Sequence, residues 1–134
     1  GPYRLYLPII RKGGSWCDPY EYNDYPGDAY GPLVFGRSYQ AYLCVGDSDD
    51  WYYINMDVVR RITIDLDVPA VADYDLYLYR QGEWEHPLAK SDSYGYGRGE
   101  RIVYTPGQVG RYYILVHPYR GRSNTHPYVL EVHY

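Results

Sequence analysis

The chain has 134 residues, enough for one domain that buries roughly two thirds of its unfolded surface, and no apolar run in it approaches the ~20 residues of a membrane span. Its 21 Tyr and 3 Trp against one Phe and one Met, punctuated by 14 Gly and 10 Pro, favour an all-β domain over a helical one. A net charge of -4 argues against a general nucleic-acid binder, which needs clustered Lys and Arg for its phosphate contacts; Arg60-Arg61 and Arg120/Arg122 read as strand-edge and loop charges.

The first element is a short apolar strand over residues 3–10, with Leu5, Leu7 and Ile9 on one face and Tyr6 and Ile10 on the other. Pro8 restricts such a strand to an edge or an end. Gly13-Gly14 then makes a flexible joint, so residues 1–15 read as an extension and residues 16–134 as the domain proper. The chain begins at Gly1 rather than Met, as expected of a protein trimmed upstream by signal-peptide removal or by cleavage of a tag.

Residues 16–36 form a long connection rich in Pro, Gly, Asp and Tyr, of the kind that is functional or cross-linked in a compact domain. It carries Cys17 and the oxygen-rich run Glu21-Tyr22-Asn23-Asp24. Cys17 and Cys44 in a Lys-poor chain suggest one disulfide and an oxidising compartment, with two buried thiols as the alternative.

Strands follow at short intervals. Ser38–Val45 leads into the stretch Gly46-Asp47-Ser48-Asp49-Asp50-Trp51-Tyr52-Tyr53, where three carboxylates within four residues repel one another unless a cation or solvent offsets them. A hard cation such as Ca²⁺ takes six to eight oxygens, more than this stretch supplies. Glu21–Asp24 is the second segment that a Cys17–Cys44 bond would bring to it; a solvated acidic turn is the plainer reading.

Asp50–Asp57 is an aromatic strand, and Arg61–Val68 alternates Ile62, Ile64, Leu66 and Val68 against polar neighbours, as a half-buried strand does. Asp73–Arg80, Leu88–Ser91, Arg101–Thr105, Arg111–His117 and Tyr128–Tyr134 supply the rest. Tyr94–Gly99 reads as a mobile connecting loop: its glycines lack the following helix and Lys-Ser/Thr pair of a phosphate loop. Eight or so short strands without a helical period predict a single antiparallel β-sandwich of jelly-roll type.

Catalytic patterns are weak. His86, His117, His126 and His133 are scattered; His117 and His133 could meet on adjacent strands, but ordinary strand positions are the simpler reading. Asp73 and Asp75 share a strand face and could imitate a glycosidase pair, but polar residues opening a strand are the simpler reading. The tyrosines say more. Tyr20, Tyr22, Tyr25, Tyr30, Tyr94, Tyr96 and Tyr119 fall in loops and cannot all be buried, which points to contact surfaces.

Several ordered segments together resemble the bacterial pre-peptidase C-terminal domain, over about residues 16–134. They are Tyr20–Asp24, Gln40–Cys44, Asp47–Tyr53, Asp73–Tyr79, Leu88–Ser91, Ile102–Tyr104, Gly110–Val116 and Tyr128–Val132. The resemblance implies a secreted, jelly-roll-like sandwich without enzymatic activity. In relatives that bind collagen, calcium sits between the segment before the first strand and the acidic corner; carried over, its ligands here are Glu21, Asn23, Asp24, Asp47 and Asp50. A further acidic ligand in that pattern is replaced by Pro19, with Asp18 one position away. The Cys17–Cys44 disulfide is then either a companion to calcium or its substitute as a brace.

Two functions follow. In the first, the protein is a non-catalytic subunit of an extracellular filament or surface polymer, its partner a second copy of itself. Tyr3, Leu5, Leu7, Ile9 and Ile10 then add as a strand to the neighbouring sheet, a head-to-tail contact that need not close. The alternative is a calcium-braced accessory module for polysaccharide or a collagen-like fibrous protein, attached to a secreted hydrolase. The sequence tips slightly toward assembly, through the apolar strand ahead of its Gly-Gly joint.

Overall fold

The structure is a computed structural model that describes residues 17–134. The expected assembly strand, residues 3–10, and the boundary between residues 15 and 16 lie outside the described residues. Eight strands follow in order: β1 (Ser38–Ala41), β2 (Asp50–Met56), β3 (Ile62–Asp67), β4 (Asp73–Arg80), β5 (Ala89–Ser91), β6 (Glu100–Tyr104), β7 (Gly110–Arg120) and β8 (Tyr128–His133). They make two four-stranded antiparallel sheets, ordered β1-β8-β3-β6 and β2-β7-β4-β5. This is the strand order of a jelly roll, as the sequence predicts.

Alternation fixes which side of each strand faces the partner sheet. Ile62, Ile64 and Leu66 of β3 and Leu130 and Val132 of β8 meet Tyr52 and Ile54 of β2, Leu76 and Leu78 of β4, and Ile114 and Val116 of β7 in one core, all but inaccessible to solvent. Burying each such side chain contributes about 1.5–3 kcal/mol.

Most strand ends fall within one residue of the expected positions, and two do not. β1 stops at Ala41 rather than Val45. Beyond it the backbone donors go to side chains instead of a ladder: Tyr42 N–H to Asp18 Oδ2 at 2.8 Å and Cys44 N–H to Asp47 Oδ2 at 3.0 Å. β7 continues past His117 to Arg120, because β4 keeps pairing with it through Tyr74↔Pro118 and across a bulge to Asp73↔Arg120.

One alternative falls away, and one further expectation needs correction. His117 lies on β7 in one sheet and His133 on β8 in the other, so they are not strand neighbours. His117 instead pairs with Asp49 at 2.7 Å and His133 with Asp65 at 2.9 Å. The 94–99 loop is tied down rather than loose: Gly95 N–H donates to Asp73 Oδ2 at 2.9 Å and Gly97 N–H to the Ala72 carbonyl at 2.8 Å.

The segment before β1 runs along the edge of β2 and covers it, as exposed edges require. Trp51 N–H donates to the Asn23 carbonyl (2.7 Å), Tyr30 N–H to that of Trp51 (3.0 Å), Tyr53 N–H to that of Tyr30 (2.9 Å) and Leu33 N–H to that of Tyr53 (2.9 Å). Gly31 is required there. A Cβ on it would stand 2.5 Å from the Tyr53 carbonyl oxygen and 2.8 Å from its ring. This edge contact carries Glu21–Asp24 to the start of β2.

Candidate metal centre

The start of β2 and the docked segment meet at a corner held by the Cys17–Cys44 disulfide, whose Cα atoms are 6.5 Å apart. Carboxylate oxygens from Glu21, Asp24 and Asp47 lie within 4.8 Å of one another, and so do those from Asp18, Glu21 and Asp50. The structure therefore brings four of the five expected ligands into two overlapping groups that share Glu21. Asn23, the fifth, is fully buried beside them. Its inward-facing amide atom lies 3.2 Å from Glu21 Oε2 and 3.1 Å from Asp50 Oδ1. With Nδ2 inward, the orientation that satisfies its surroundings, Asn23 donates to both carboxylates; turned over, it would present Oδ1 to a cation.

Asp18 completes the corner, although the sequence pattern had set it out of register. It is buried, and it accepts from Tyr20 N–H through Oδ1 and from Tyr42 N–H through Oδ2, both at 2.8 Å. Asp50 is inaccessible, and its Oδ2 accepts from the Tyr128 hydroxyl at 2.6 Å, itself 2.5 Å from the Tyr52 hydroxyl. Glu21 Oε1 is buried with no hydrogen-bond partner among the described residues. On the other side, Arg122 Nε donates to the Asp47 carbonyl at 2.5 Å, and Ser123 N–H donates to the Leu43 carbonyl at 2.9 Å.

Burial governs the protonation of this corner. It pushes Glu21 up to about 9, with the charges of Asp47, Asp18 and Asp24 adding to the effect. Burial also pushes Asp47 up to about 6 against the hydrogen bond from Cys44 and the charge of Arg122. Asp50 is raised well above the carboxylate range by burial and then by Glu21, and Asp18 is raised by burial despite its backbone donors. Without a cation the corner holds protons at neutral pH. A divalent ion supplies the same compensation, with carboxylate and amide oxygens of the kind Ca²⁺ prefers. Glu21 Oε1, buried with no partner among the described residues, and the carboxylates gathered around it from two chain segments are donors of the type such an ion takes.

The loop tyrosines are dispersed. Tyr25, Tyr94, Tyr96 and Tyr119 are exposed, Tyr30 is at 39% exposure, and Tyr22 is half-buried. Tyr20 packs on the core, its ring centroid 4.6 Å from that of Tyr30 and 6.3 Å from that of Tyr52. A denser aromatic row, missed from sequence, lies on the outer face of the β2-β7-β4-β5 sheet. Trp51, Tyr53, Tyr77, Tyr79 and Tyr113 alternate with core residues there, and Trp84 reaches back over them from the β4–β5 loop. Trp84 contacts Tyr113 at 4.9 Å and Trp51 at 5.7 Å, and Arg111 sits 4.0 Å over the Tyr53 ring. The row's parity along each strand was readable; the return of Trp84 was not.

No family model matches the chain, and no curated protein matches it either. Among solved structures it is similar to the pre-peptidase C-terminal domain of a collagenase from Bacillus anthracis, with a TM-score of 0.59 and 21% identity over 75% of this chain and 90% of that one. That likeness establishes the shared fold, in agreement with the resemblance seen in the sequence. A looser likeness, on which nothing rests, is to a periplasmic inhibitor of g-type lysozyme from Aeromonas hydrophila, with a TM-score of 0.45 and 15% identity over 78% and 93% of the two chains.

Proposed function

We propose that this domain is a calcium-braced accessory binding module of an extracytoplasmic protein, working beside a hydrolytic partner rather than as a catalyst. The observation that carries the calcium is the corner itself, where buried acidic side chains on two chain segments leave Glu21 Oε1 with no donor among the described residues. Glu21, Asn23, Asp24, Asp47 and Asp50 would hold the ion, with Asp18 close enough to contribute. Bound there, calcium joins the 17–36 segment to β2 and supplements the disulfide. That disulfide supports an oxidising compartment.

The binding face is the outer aromatic row around Trp84. Trp84 is 38% exposed above rings that are themselves nearly covered, and an open pocket of about 430 Å³ runs beside it, lined by Gly82–His86. Rigid aromatic groups with polar edges suit both sugar rings and the ridged surface of a fibrous protein. The likeness to a collagenase domain favours the fibrous protein. The filament reading depends on residues 3–10, and none of the described residues bears on it.

Co-sedimentation with insoluble collagen fibrils and with an insoluble polysaccharide tests the module. Retention on collagen that falls about tenfold or more in Trp84→Ala, a loss of about 1.4 kcal/mol, is the expected result. Absence of retention on both supports, with the fold intact, overturns the proposal.

A further inference from the structure

A second carboxylate cluster lies at the sandwich edge where the chain passes from β5 to β6. Asp73 and Asp75 belong to β4 and Glu100 opens β6, and one carboxylate oxygen from each lies within 4.8 Å of the other two. Asp73 is 1% exposed, Asp75 6% and Glu100 3%. In two of them one oxygen is fastened and the other is left over. Gly95 N–H donates to Asp73 Oδ2 at 2.9 Å, from a backbone at φ 130° that glycine alone adopts readily. Ser91 Oγ and Ser93 N–H donate to Glu100 Oε1 at 2.5 and 3.0 Å. The remaining oxygens, Asp73 Oδ1 and Glu100 Oε2, are buried and have no hydrogen-bond partner among the described residues.

Buried carboxylate oxygens need a donor or a cation. Three positive groups of the neighbourhood have partners of their own. Lys90 pairs with Asp92 at 3.4 Å, His117 with Asp49 at 2.7 Å, and the Arg120 guanidinium lies 5.5 Å over the rings of both Tyr94 and Tyr119. A pocket of about 200 Å³, lined by Asp73, Asp75, Asp92, Tyr94 and Tyr119, reaches two of the three carboxylates.

We propose that Asp73, Asp75 and Glu100 form a second divalent-cation site of calcium type, separate from the acidic corner, with water from the pocket completing the shell. The ligands are all carboxylates, without thiol or imidazole, which selects a hard cation. The hydrogen bonds from Gly95, Ser91 and Ser93 orient the ligands from behind, as supporting shells of metal sites do. Burial and then the charges of Asp73, Glu100 and Asp92 push Asp75 up to about 6, which expresses the same unmet need for positive charge. Three protein ligands make this the weaker kind of extracellular site, with Kd on the order of 10⁻⁴–10⁻³ M. Occupied, it ties β4, the 94–99 loop and the β5–β6 crossover together.

The test is calcium titration of the full chain by calorimetry, alongside terbium luminescence sensitised by Tyr94 and Tyr119. Glu100→Gln keeps an acceptor for Ser91 and Ser93 but removes the charge, so in chelator it should unfold no earlier than the wild type. It should weaken one class of calcium binding about tenfold or more, leaving the tighter class unchanged. Asp75→Asn should do the same, whereas Glu21→Gln/Asp47→Asn should abolish only the tighter class. A single class that disappears in Glu100→Gln but survives in Glu21→Gln/Asp47→Asn supports this site and overturns the corner instead. Unchanged titrations in both Glu100→Gln and Asp75→Asn overturn the second site.

Discussion

Tyr128 of β8 donates its hydroxyl to Asp50 of β2 at 2.6 Å, so a fully buried hydrogen bond links the two sheets at the acidic corner. Leaving one partner of a buried hydrogen bond unsatisfied costs about 1–3 kcal/mol. Tyr128→Phe should therefore lower the unfolding free energy by about that amount in urea titrations. Tyr52→Phe, which leaves the bond to Asp50 in place, should lower it by less. Equal losses in the two variants would show that Asp50 is not the partner that matters.

The raised carboxyls set the sign of the pH dependence. Glu21 (about 9) and Asp47 (about 6) hold protons in the folded state that the unfolded chain has already released near its ordinary carboxylate values. Their contribution is fully present below about pH 4 and is lost as pH rises through those folded values. His117, raised first by the hydrogen bond it donates to Asp49, acts in the same direction. In chelator the domain should thus melt at lower temperature near pH 9 than near pH 5, and calcium should flatten the trend. A melting temperature that rises with pH in chelator contradicts this protonation scheme.

The disulfide closes a loop over a sequence separation of 27. Chain entropy gives such a cross-link about 3–4 kcal/mol. Cys17→Ser/Cys44→Ser should lose roughly that much stability, and its calcium affinity should fall as well, because the same bond seats Glu21–Asp24 against Asp47 and Asp50. Denaturation and calcium titration of the one variant check both effects; unchanged affinity would mean that the edge hydrogen bonds seat the segment alone.

Gly31→Ala probes those edge bonds directly. Its Cβ would press on the Tyr53 carbonyl and ring, and overpacking of this kind costs about 1–3 kcal/mol. Hydrogen exchange should speed up at the amides of Tyr30 and Tyr53, whose bonds lie on either side of the contact. Exchange that stays at the wild-type rate would show that the segment yields without leaving β2.

How much of this was legible follows from the range of each signal. The alternation in β3 and β4 is local, and it fixed both strands and the face that each buries. The pairing of Glu21–Asp24 with Asp47–Asp50 could be inferred because two cysteines bracket it. Asp18 could not be placed, since its role depends on capturing the Tyr42 amide after β1 ends. Glu100 carries no signal in the sequence, lying just ahead of the expected strand Arg101–Thr105; only the β5–β6 crossover brings it to Asp73 and Asp75. Trp84 sits in a turn-rich loop whose return over the sheet has no sequence signature.

The most direct measurement is the thermal unfolding midpoint of the wild type and of Glu21→Gln/Asp47→Asn, each with calcium and with chelator at neutral pH. Calcium at a hundredfold excess over Kd should stabilise the wild type by about 2.7 kcal/mol, a shift of several degrees. Most of that shift should be absent from the variant, whose chelator midpoint should match or exceed that of the wild type. Identical wild-type midpoints in calcium and in chelator would contradict a calcium-braced domain.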